Sequence, residues 1–403
     1  MELDTLYSKL NSYQSNLREV SAILEAMTKI LRIDRTLEGI QDALKVLFSA
    51  SSISVLKLLA KHKVGPAVLI LSGSNKYWSS DPQGKALYNV LEKHYALSKR
   101  QYQIAKNAIQ NVIELLNKGG IQPLVTRGIS IADLVYPDPV MRLFSDIDLV
   151  VSSKEYLQAV DILSIFQKCD EIKCCTTFII NPDDKENSKI YIDLHGFCKT
   201  EHKDLSEKII GRSYGSGTTD FYDRSKLADS PIGKIRTLSE NDLLQYLCLH
   251  WTKHLIKGGA NLIGLCDIAF LIYKYNEYLD WDEIVRQNDG NFLYPPLVFS
   301  SYWLGANVPN DILEKFKEKT TRTFQKRVEI EKNNFGSTTL GLTPPKYIPP
   351  LWASYDQKIA SIFNPPFEYL ENRGIIKSDT NLFYAYFCWF KFLMNTYLLK
   401  RTP

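Results

Sequence analysis

The stretch that decides the fold is "RLFSDIDLVV", residues 142–151. Its apolar and β-branched residues are typical of a β-strand, yet it carries Asp146 and Asp148 two positions apart. Side chains at positions i and i+2 of a strand point to one face, so the two carboxylates project together while Ile147 and Leu149 pack behind them. Because unpaired buried charges are costly, we expect a metal cation between the two carboxylates.

A third carboxylate is predicted on a later strand, "KIYIDLHGF", residues 189–197. Alternation places Tyr191, Asp193 and His195 on one face of that strand. Magnesium prefers oxygen ligands, and a pair of metal ions in phosphoryl transfer needs more than two carboxylates. A strand end with two solvated acids would explain Asp146 and Asp148 alone. With Asp193 added, the sequence predicts a site for two Mg²⁺ ions, formed by Asp146, Asp148 and Asp193.

A glycine turn precedes the aspartate strand, in "LVTRGISIADLVYPDPVMRLF", residues 124–144. Gly128 lets the backbone approach a phosphate closely, and the Ser130 hydroxyl can donate to it. Arg127 and Arg142 carry guanidinium groups, which suit triphosphate oxygens. We therefore predict a nucleotide-binding role for these four residues, although a plain turn is the simpler interpretation of Gly128 and Ser130 by themselves.

Two histidines share one face of a predicted helix that starts near Glu240. His250 and His254 are four residues apart, and Asp267 in the next apolar helix could reach them. A buried polar cluster that joins the two helices is the favoured interpretation; a substrate-binding site and a metal site are the alternatives. His195 either supports the carboxylate site or serves packing.

The chain has 403 residues, too many for one ordinary core. Helical spacing dominates residues 1–118, short β-branched runs with one helix follow in 119–236, and helical spacing returns in 237–403. This order predicts an α+β core, a short mixed sheet with helices, flanked by N- and C-terminal helical regions.

Composition excludes several classes of protein. Lys and Arg number 49 against 45 acidic residues, a net charge of +4 without a basic stripe, so nothing indicates a nucleic-acid partner. Acidic residues in "MELDTLYSKLNSYQ" argue against a secretory signal. Seven cysteines without a C-x-x-C pair favour a reducing cytoplasm and no cysteine zinc site.

The most apolar stretch, residues 381–401, carries Lys391 at its centre. We expect it to form a buried C-terminal helix, with a membrane-surface helix as the alternative and no membrane span.

Three stretches together resemble a known family: "RGISIADLVYPDPVMRLFSDIDLVV", "YIDLHGF", and "LCLHWTKH" with the following "CDIAFLI" and "LDWDEIV". They look like the bacterial uncharacterised nucleotidyltransferases of the polymerase-β-like superfamily, over about Leu58 to Pro309. The resemblance implies a polymerase-β-like core with Asp146 and Asp148 as metal ligands and Asp193 as ligand and base. It also implies that Gly128 lies in the nucleotide-binding turn.

The expected reaction is a magnesium-dependent transfer of a nucleotide, with pyrophosphate leaving. The donor is a nucleoside triphosphate, ATP being the first candidate, and the acceptor is a hydroxyl or similar group of a small molecule or peptide, as in natural-product tailoring. Two rivals stay open. One is a toxin-like transferase that modifies tRNA or a protein, and the other is a non-catalytic nucleotide-binding scaffold.

Overall fold

The structure is a computed structural model. It describes residues 18–73, 75–144, 146–172, 175–180, 189–196, 222, 224–230, 232–256, 260–288, 290–320 and 322–333, together with five positions between 384 and 391. Most of the predicted C-terminal helix, and the predicted helical region after residue 333, lie outside the described residues.

Helices precede the sheet, interrupt it and follow it. In chain order the helices of the described residues are α1 (18–31), α2 (Leu37–Ser49), α3 (Ser52–Lys61), α4 (Gly65–Leu71), α5 (Asn75–Trp78), α6 (Pro82–Lys118), α7 (Ile129–Val135), α8 (Tyr156–Ile162), α9 (Glu240–Ile256), α10 (Leu262–Tyr275), α11 (Trp281–Gln287), α12 (Gly290–Leu304), α13 (Asn310–Glu318) and α14 (Arg322–Asn333). Short 3₁₀ turns cover Pro139–Met141, Leu163–Ile165 and Asn276–Tyr278.

The strands form one mixed sheet of seven. They are β1 (Leu124–Val125), β2 (Asp146–Val151), β3 (Gln167–Ile172), β4 (Cys175–Ile180), β5 (Ile190–Gly196), β6 (Lys226–Ser230) and β7 (Gly233–Thr237). Their order across the sheet is β3-β4-β5-β2-β1-β7-β6. The β2–β5 and β1–β7 pairs are parallel and the others antiparallel. The predicted mixed sheet with helices is therefore confirmed.

Two local signals in the sequence set the ends of long helices. Asp81 caps α6 by accepting from the backbone N–H groups of Gln83 and Gly84, and the helix ends at Lys118, before Gly119. Ser239 does the same for α9, since its hydroxyl oxygen accepts from Asp242 N at 3.2 Å. Each cap satisfies N–H groups that the first turn of a helix leaves without partners.

Buried apolar residues form two clusters in the described part of the chain. One joins α1–α5 and the first half of α6 to α9–α14, so the N- and C-terminal helices share a single core. The other lies between the sheet and the second half of α6, whose Ile109, Val112 and Ile113 are almost fully buried. The 37-residue helix α6 contributes to both clusters and fixes the sheet against the helices.

At the C-terminal end, the five described positions are helical, and three of them are aromatic and exposed: Tyr384 by 57%, Phe387 by 62% and Phe390 by 61%. The expectation of burial is wrong for these three side chains, because they are exposed and do not pack into a core among the described residues.

Among the described residues no single helix is long and apolar enough to cross a membrane. The pair α2 and α3 passes that test only when taken together, and it is bent by 118°.

Candidate active site

The site is built on two neighbouring parallel strands. In the β2–β5 pair, Asp146 lies opposite Tyr191 and Asp148 lies opposite Asp193. Paired residues of adjacent strands point to the same face of a sheet, so the three carboxylates share one face. The opposite face of β2 belongs to the core, where Ile147 is fully buried. The structure thus brings together the three acids singled out in the sequence.

Asp148 is the most buried of the three acids, at 2% exposure. Its Oδ1 accepts from the Arg127 guanidinium and lies 3.3 Å from His195 Nε2. Burial alone would raise the pKa of Asp148, but the charges and hydrogen bonds of Arg127 and His195 outweigh it and lower that pKa. Asp148 is therefore held as a charged carboxylate inside the protein.

Asp193 has the opposite electrostatic environment. It is half-buried, and the Thr177 hydroxyl on β4 donates to its Oδ1 at 2.6 Å. Burial raises the pKa of Asp193, the Thr177 bond opposes that rise, and the negative charges of Asp148 and Asp146 add to it. Its proton affinity is thus above that of an ordinary aspartate, a property that suits a group accepting a proton.

His195 lies between a carboxylate and a thiol. It pairs in register with Cys175 across β4 and β5, and it contacts Asp148. Burial lowers the pKa of His195, but its hydrogen bonds to Asp148 and Cys175 raise it to about 9. At neutral pH the ring is a cation beside the carboxylates, so the structure places His195 next to the site.

Arg127 links the sheet to helix α9. Its Nη1 lies 2.6 Å from His250 Nε2, while Nη2 donates to Asp148. His254 Nε2 lies 3.0 Å from His250 Nε2, and the Tyr246 ring stacks on His250 with centroids 6.5 Å apart. The two histidines contact each other, but His254 is exposed and His250 pairs with Arg127, so they do not form the predicted buried cluster. The adjacent guanidinium makes a metal ion at these rings unfavourable, because like charges repel.

The glycine turn contacts the aspartate strand directly. Gly128 has φ +66°, and a Cβ at this position would lie 2.8 Å from the Asp146 carbonyl oxygen. A side chain there would push β2 away, so only glycine allows this close approach. Ser130 is buried at 2% exposure, and its hydroxyl donates inward to Val125 O at 3.2 Å or Arg127 O at 3.3 Å. These bonds hold the turn, and a phosphate contact of Ser130 stays a prediction.

Asp267 belongs to a different cluster from the one predicted. Both of its oxygens accept from Arg142, at 2.8 Å each, and Oδ1 also accepts from the Tyr136 hydroxyl at 2.7 Å. The predicted contact of Asp267 with the histidines is therefore wrong. Helical spacing could not reveal this, because Arg142 comes from the distant chain segment before β2. The same ion pair holds Arg142 in the interior, at 9% exposure, so its predicted phosphate contact stays a prediction.

Thr177 and Cys175 also contribute to the site, although no sequence motif pointed to them. Thr177 and Cys175 lie opposite Asp193 and His195 only because of the β4–β5 register. A register between antiparallel strands depends on the connecting loop and is not visible in an isolated run of residues.

A comparison with protein families matches residues 53–290, more than half of the chain, to the family described as "Uncharacterised nucleotidyltransferase". The chain belongs to this family. The match covers α3 to the start of α12 and so includes the N-terminal helices as well as the sheet. A comparison with curated proteins gave no match.

One solved structure is similar to this nucleotidyltransferase-family protein: the crystal structure of an antigenic nucleotidyltransferase-like protein from Paracoccidioides brasiliensis. The two sequences are 14% identical, and the match covers 52% of this chain and 95% of the other, with a TM-score of 0.32. Similarity at this level carries no argument about the fold or the site.

Proposed function

We propose that the protein transfers a nucleoside monophosphate from a nucleoside triphosphate to a hydroxyl or similar group of a small-molecule or peptide acceptor. ATP is the first donor to test, and Mg²⁺ the first metal ion. The observation that carries this proposal is the register of β2 and β5, which sets Asp148 directly beside Asp193 with Asp146 on the same face. Free cysteines at 169, 175, 248, 266 and 388 agree with a cytoplasmic location, which belongs to the same proposal.

The side chains present fit a divalent cation. A carboxylate oxygen of Asp148 and one of Asp193 lie within 4.8 Å of each other and of a ring nitrogen of His195. Burial raises the pKa of Asp193, and the negative charges of Asp148 and Asp146 add to that rise, a repulsion that a bound cation would relieve. Asp146 and Asp148 would hold a magnesium ion, and Asp193 would share in a second; His195, charged at neutral pH, would balance the carboxylates. When bound, magnesium would polarise the α-phosphate and offset charge on the leaving pyrophosphate.

The chain's own groups account for the remaining chemistry. Asp193 accepts the proton of the acceptor hydroxyl. The hydroxyl oxygen then forms a bond to the α-phosphorus, while the bond between the α-phosphorus and pyrophosphate breaks. Thr177 orients the Asp193 carboxylate through its hydrogen bond to Oδ1. Arg127 is fixed by Asp148 and His250 on either side, so its positive charge stays beside the place where phosphate charge develops.

The test begins with the wild-type protein, each labelled nucleoside triphosphate, Mg²⁺ and a cell extract, followed by mass identification of whatever gains a nucleotide. A labelled small molecule or peptide supports the proposal. Labelled tRNA or a labelled large protein would favour the toxin-like transferase instead. Nucleotide binding without any transfer would favour the non-catalytic scaffold.

Asp193→Asn then tests the assigned role. We expect transfer to fall by about 10²-fold or more, the usual effect of losing a general base, while triphosphate binding stays within a few-fold of wild type. Single-turnover transfer and calorimetry with a non-hydrolysable triphosphate measure the two quantities. Asp161→Asn on α8 is the matched control, because Asp161 is exposed and belongs to neither of the two site strands, β2 and β5. Full activity of Asp193→Asn would show that the third carboxylate lies elsewhere.

A further inference from the structure

The guanidinium of Arg127 is divided between two partners. Its Nη2 donates to Asp148 Oδ1, while Nη1 lies 2.6 Å from His250 Nε2 and 3.2 Å from His250 Nδ1. Its Nε is buried and has no hydrogen-bond partner among the described residues. A guanidinium commonly binds a carboxylate through two parallel N–H groups, as Arg142 does with Asp267. Arg127 does not reach that two-bonded geometry on Asp148.

His250 can hold Nη1 of Arg127 only as a hydrogen-bond acceptor. A guanidinium has five N–H donors and no acceptor, so the imidazole must supply the lone pair. A doubly protonated imidazole has no lone pair on nitrogen, and its charge would repel the guanidinium at 2.6 Å. The ring beside Arg127 is therefore in its neutral form, with one unprotonated nitrogen.

Helix α9 fixes this imidazole in place. Tyr246, one turn earlier on the same face, stacks on His250 at an interplanar angle of 14°, and its hydroxyl donates to Thr126 Oγ1 at 3.4 Å. Trp251, on the same helix, is buried in the core that the N- and C-terminal helices share. A stacked neighbour and a packed helix restrict the ring, so Nη1 of Arg127 is anchored at a fixed position.

This anchor decides how Asp148 is bonded. The two side chains that contact Asp148, Arg127 and His195, both use Oδ1, and Oδ2 receives no hydrogen bond from a described residue. A guanidinium able to turn a second nitrogen toward Oδ2 would engage both oxygens. Because Nη1 is held by His250, that turn is prevented, and the second oxygen stays available on the carboxylate face.

We propose that His250 is a positioning residue for the metal site: it keeps one nitrogen of Arg127 away from Asp148, and so keeps one Asp148 oxygen available to a divalent cation. This role of His250 rests on the proposed nucleotidyl transfer, which needs the cation. An aspartate in a two-bonded ion pair is a poorer ligand, because a cation must displace one of those bonds. Helix α9 thus takes part in metal binding without contacting the metal.

The test measures the binding of Mn²⁺ alone to the full-length protein by electron paramagnetic resonance, with Mn²⁺ as the paramagnetic substitute for Mg²⁺. His250→Phe keeps a ring against Tyr246 and removes the acceptor, so Arg127 can turn onto both oxygens of Asp148. We expect the Mn²⁺ affinity to fall about tenfold. The melting temperature should change little, because the new bond to Asp148 replaces the lost one. His250→Gln offers an acceptor oxygen near the position of Nε2 and should restore most of the affinity.

Two further variants show whether His250 acts through Arg127. Arg127→Met removes the guanidinium, so adding His250→Phe to that variant should change the Mn²⁺ affinity by less than about twofold. His254→Phe makes the same substitution one turn later on α9, at an exposed histidine. We expect it to lower the Mn²⁺ affinity much less than His250→Phe does.

Four results would overturn the role of His250. They are wild-type Mn²⁺ affinity of His250→Phe, a tenfold loss that persists in the Arg127→Met background, an equal loss in His254→Phe, and a failure of His250→Gln to restore the affinity. A fall in melting temperature with unchanged Mn²⁺ affinity would make His250 a structural residue only. The proposed nucleotidyl transfer survives each of these results. If Asp148→Asn binds Mn²⁺ as well as the wild type does, the metal site of the proposed function fails, and the role of His250 with it.

Discussion

Two arginine–aspartate pairs in this protein have the same chemistry and different surroundings. Arg142 and Asp267 are 9% and 3% exposed at the side chain, and they are joined by two hydrogen bonds of 2.8 Å. Arg127 and Asp148 are 21% and 3% exposed, and only one guanidinium nitrogen donates to the aspartate. The first pair is closed on itself, while the second opens toward other charged groups.

The neighbours of each pair explain the difference. Asp267 receives a third bond from the Tyr136 hydroxyl, so its oxygens are satisfied inside the helical core. Arg127 keeps a buried Nε without a hydrogen-bond partner among the described residues, and Asp148 shares its oxygen with His195. A fully bonded ion pair fixes two chain segments, whereas a partly bonded one beside further carboxylates can exchange partners with a ligand. The two pairs have the same residue types, so the number of hydrogen bonds around each pair is what makes one closed and leaves the other open to further groups.

We expect the largest effect from a substitution that breaks the Arg142–Asp267 pair. Asp267→Asn leaves the Arg142 charge buried without a carboxylate, and we expect it to lower the free energy of unfolding by about 3–5 kcal/mol, measured by urea unfolding followed by circular dichroism.

Asp148→Asn should lose less stability, because Arg127 keeps its contact with His250 and partial contact with solvent. The rate of nucleotidyl transfer, however, should fall by about 10²-fold to 10³-fold. Asp161→Asn is the control for both. Equal stability losses in the two variants would contradict the distinction between the pairs.

A smaller effect concerns His62, which is buried in its neutral form, whereas Arg127 and Arg142 are held in the protein as cations. Burial and the nearby Lys61 charge lower its pKa from 6.5 to about 3. Below pH 6.5 the unfolded chain therefore binds a proton that the folded protein excludes. The contribution of neutral His62 to the free energy of unfolding is complete above about pH 6.5. As the pH falls toward 3 it is lost, and the free energy of unfolding decreases by up to about 1.4 kcal/mol per pH unit.

His62→Asn removes this titration while its side-chain oxygen can still accept from Leu262 N. We expect the urea midpoint of the variant to fall less steeply between pH 6.5 and pH 4.5 than that of the wild type. Parallel curves for the two proteins would show that His62 does not titrate on unfolding.

The smallest expected effect tests whether the Arg142–Asp267 pair stays intact without the third hydrogen bond, which comes from Tyr136. Tyr136→Phe removes one of three bonds to Asp267 but keeps the ring against Phe270, 4.9 Å between centroids. Because Arg142 still satisfies both oxygens, the loss should be about 1 kcal/mol in urea unfolding, with transfer unchanged. Tyr278→Phe, at an exposed tyrosine, serves as the control. A loss as large as that of Asp267→Asn would mean that Tyr136, and not the bidentate contact, holds the cluster.

The sequence by itself determined the carboxylate face. Alternation within "DIDLVV" and "YIDLHGF" is a local property of a strand, so it fixed that Asp146 and Asp148 share a face and that Asp193 belongs to a similar strand. The φ of Gly128 and the caps of α6 and α9 are equally local, because they depend on one residue type and its immediate neighbours. Such features do not require knowledge of distant segments.

Tertiary structure alone decided the partners of those residues. The parallel pairing of β2 with β5 and the ion pair of Arg142 with Asp267 are both contacts between remote segments. Helical or strand periodicity shows which face of an element is apolar, but not which element covers it. The choice among partners came from closing the two cores and pairing the buried charges, and both depend on the whole chain.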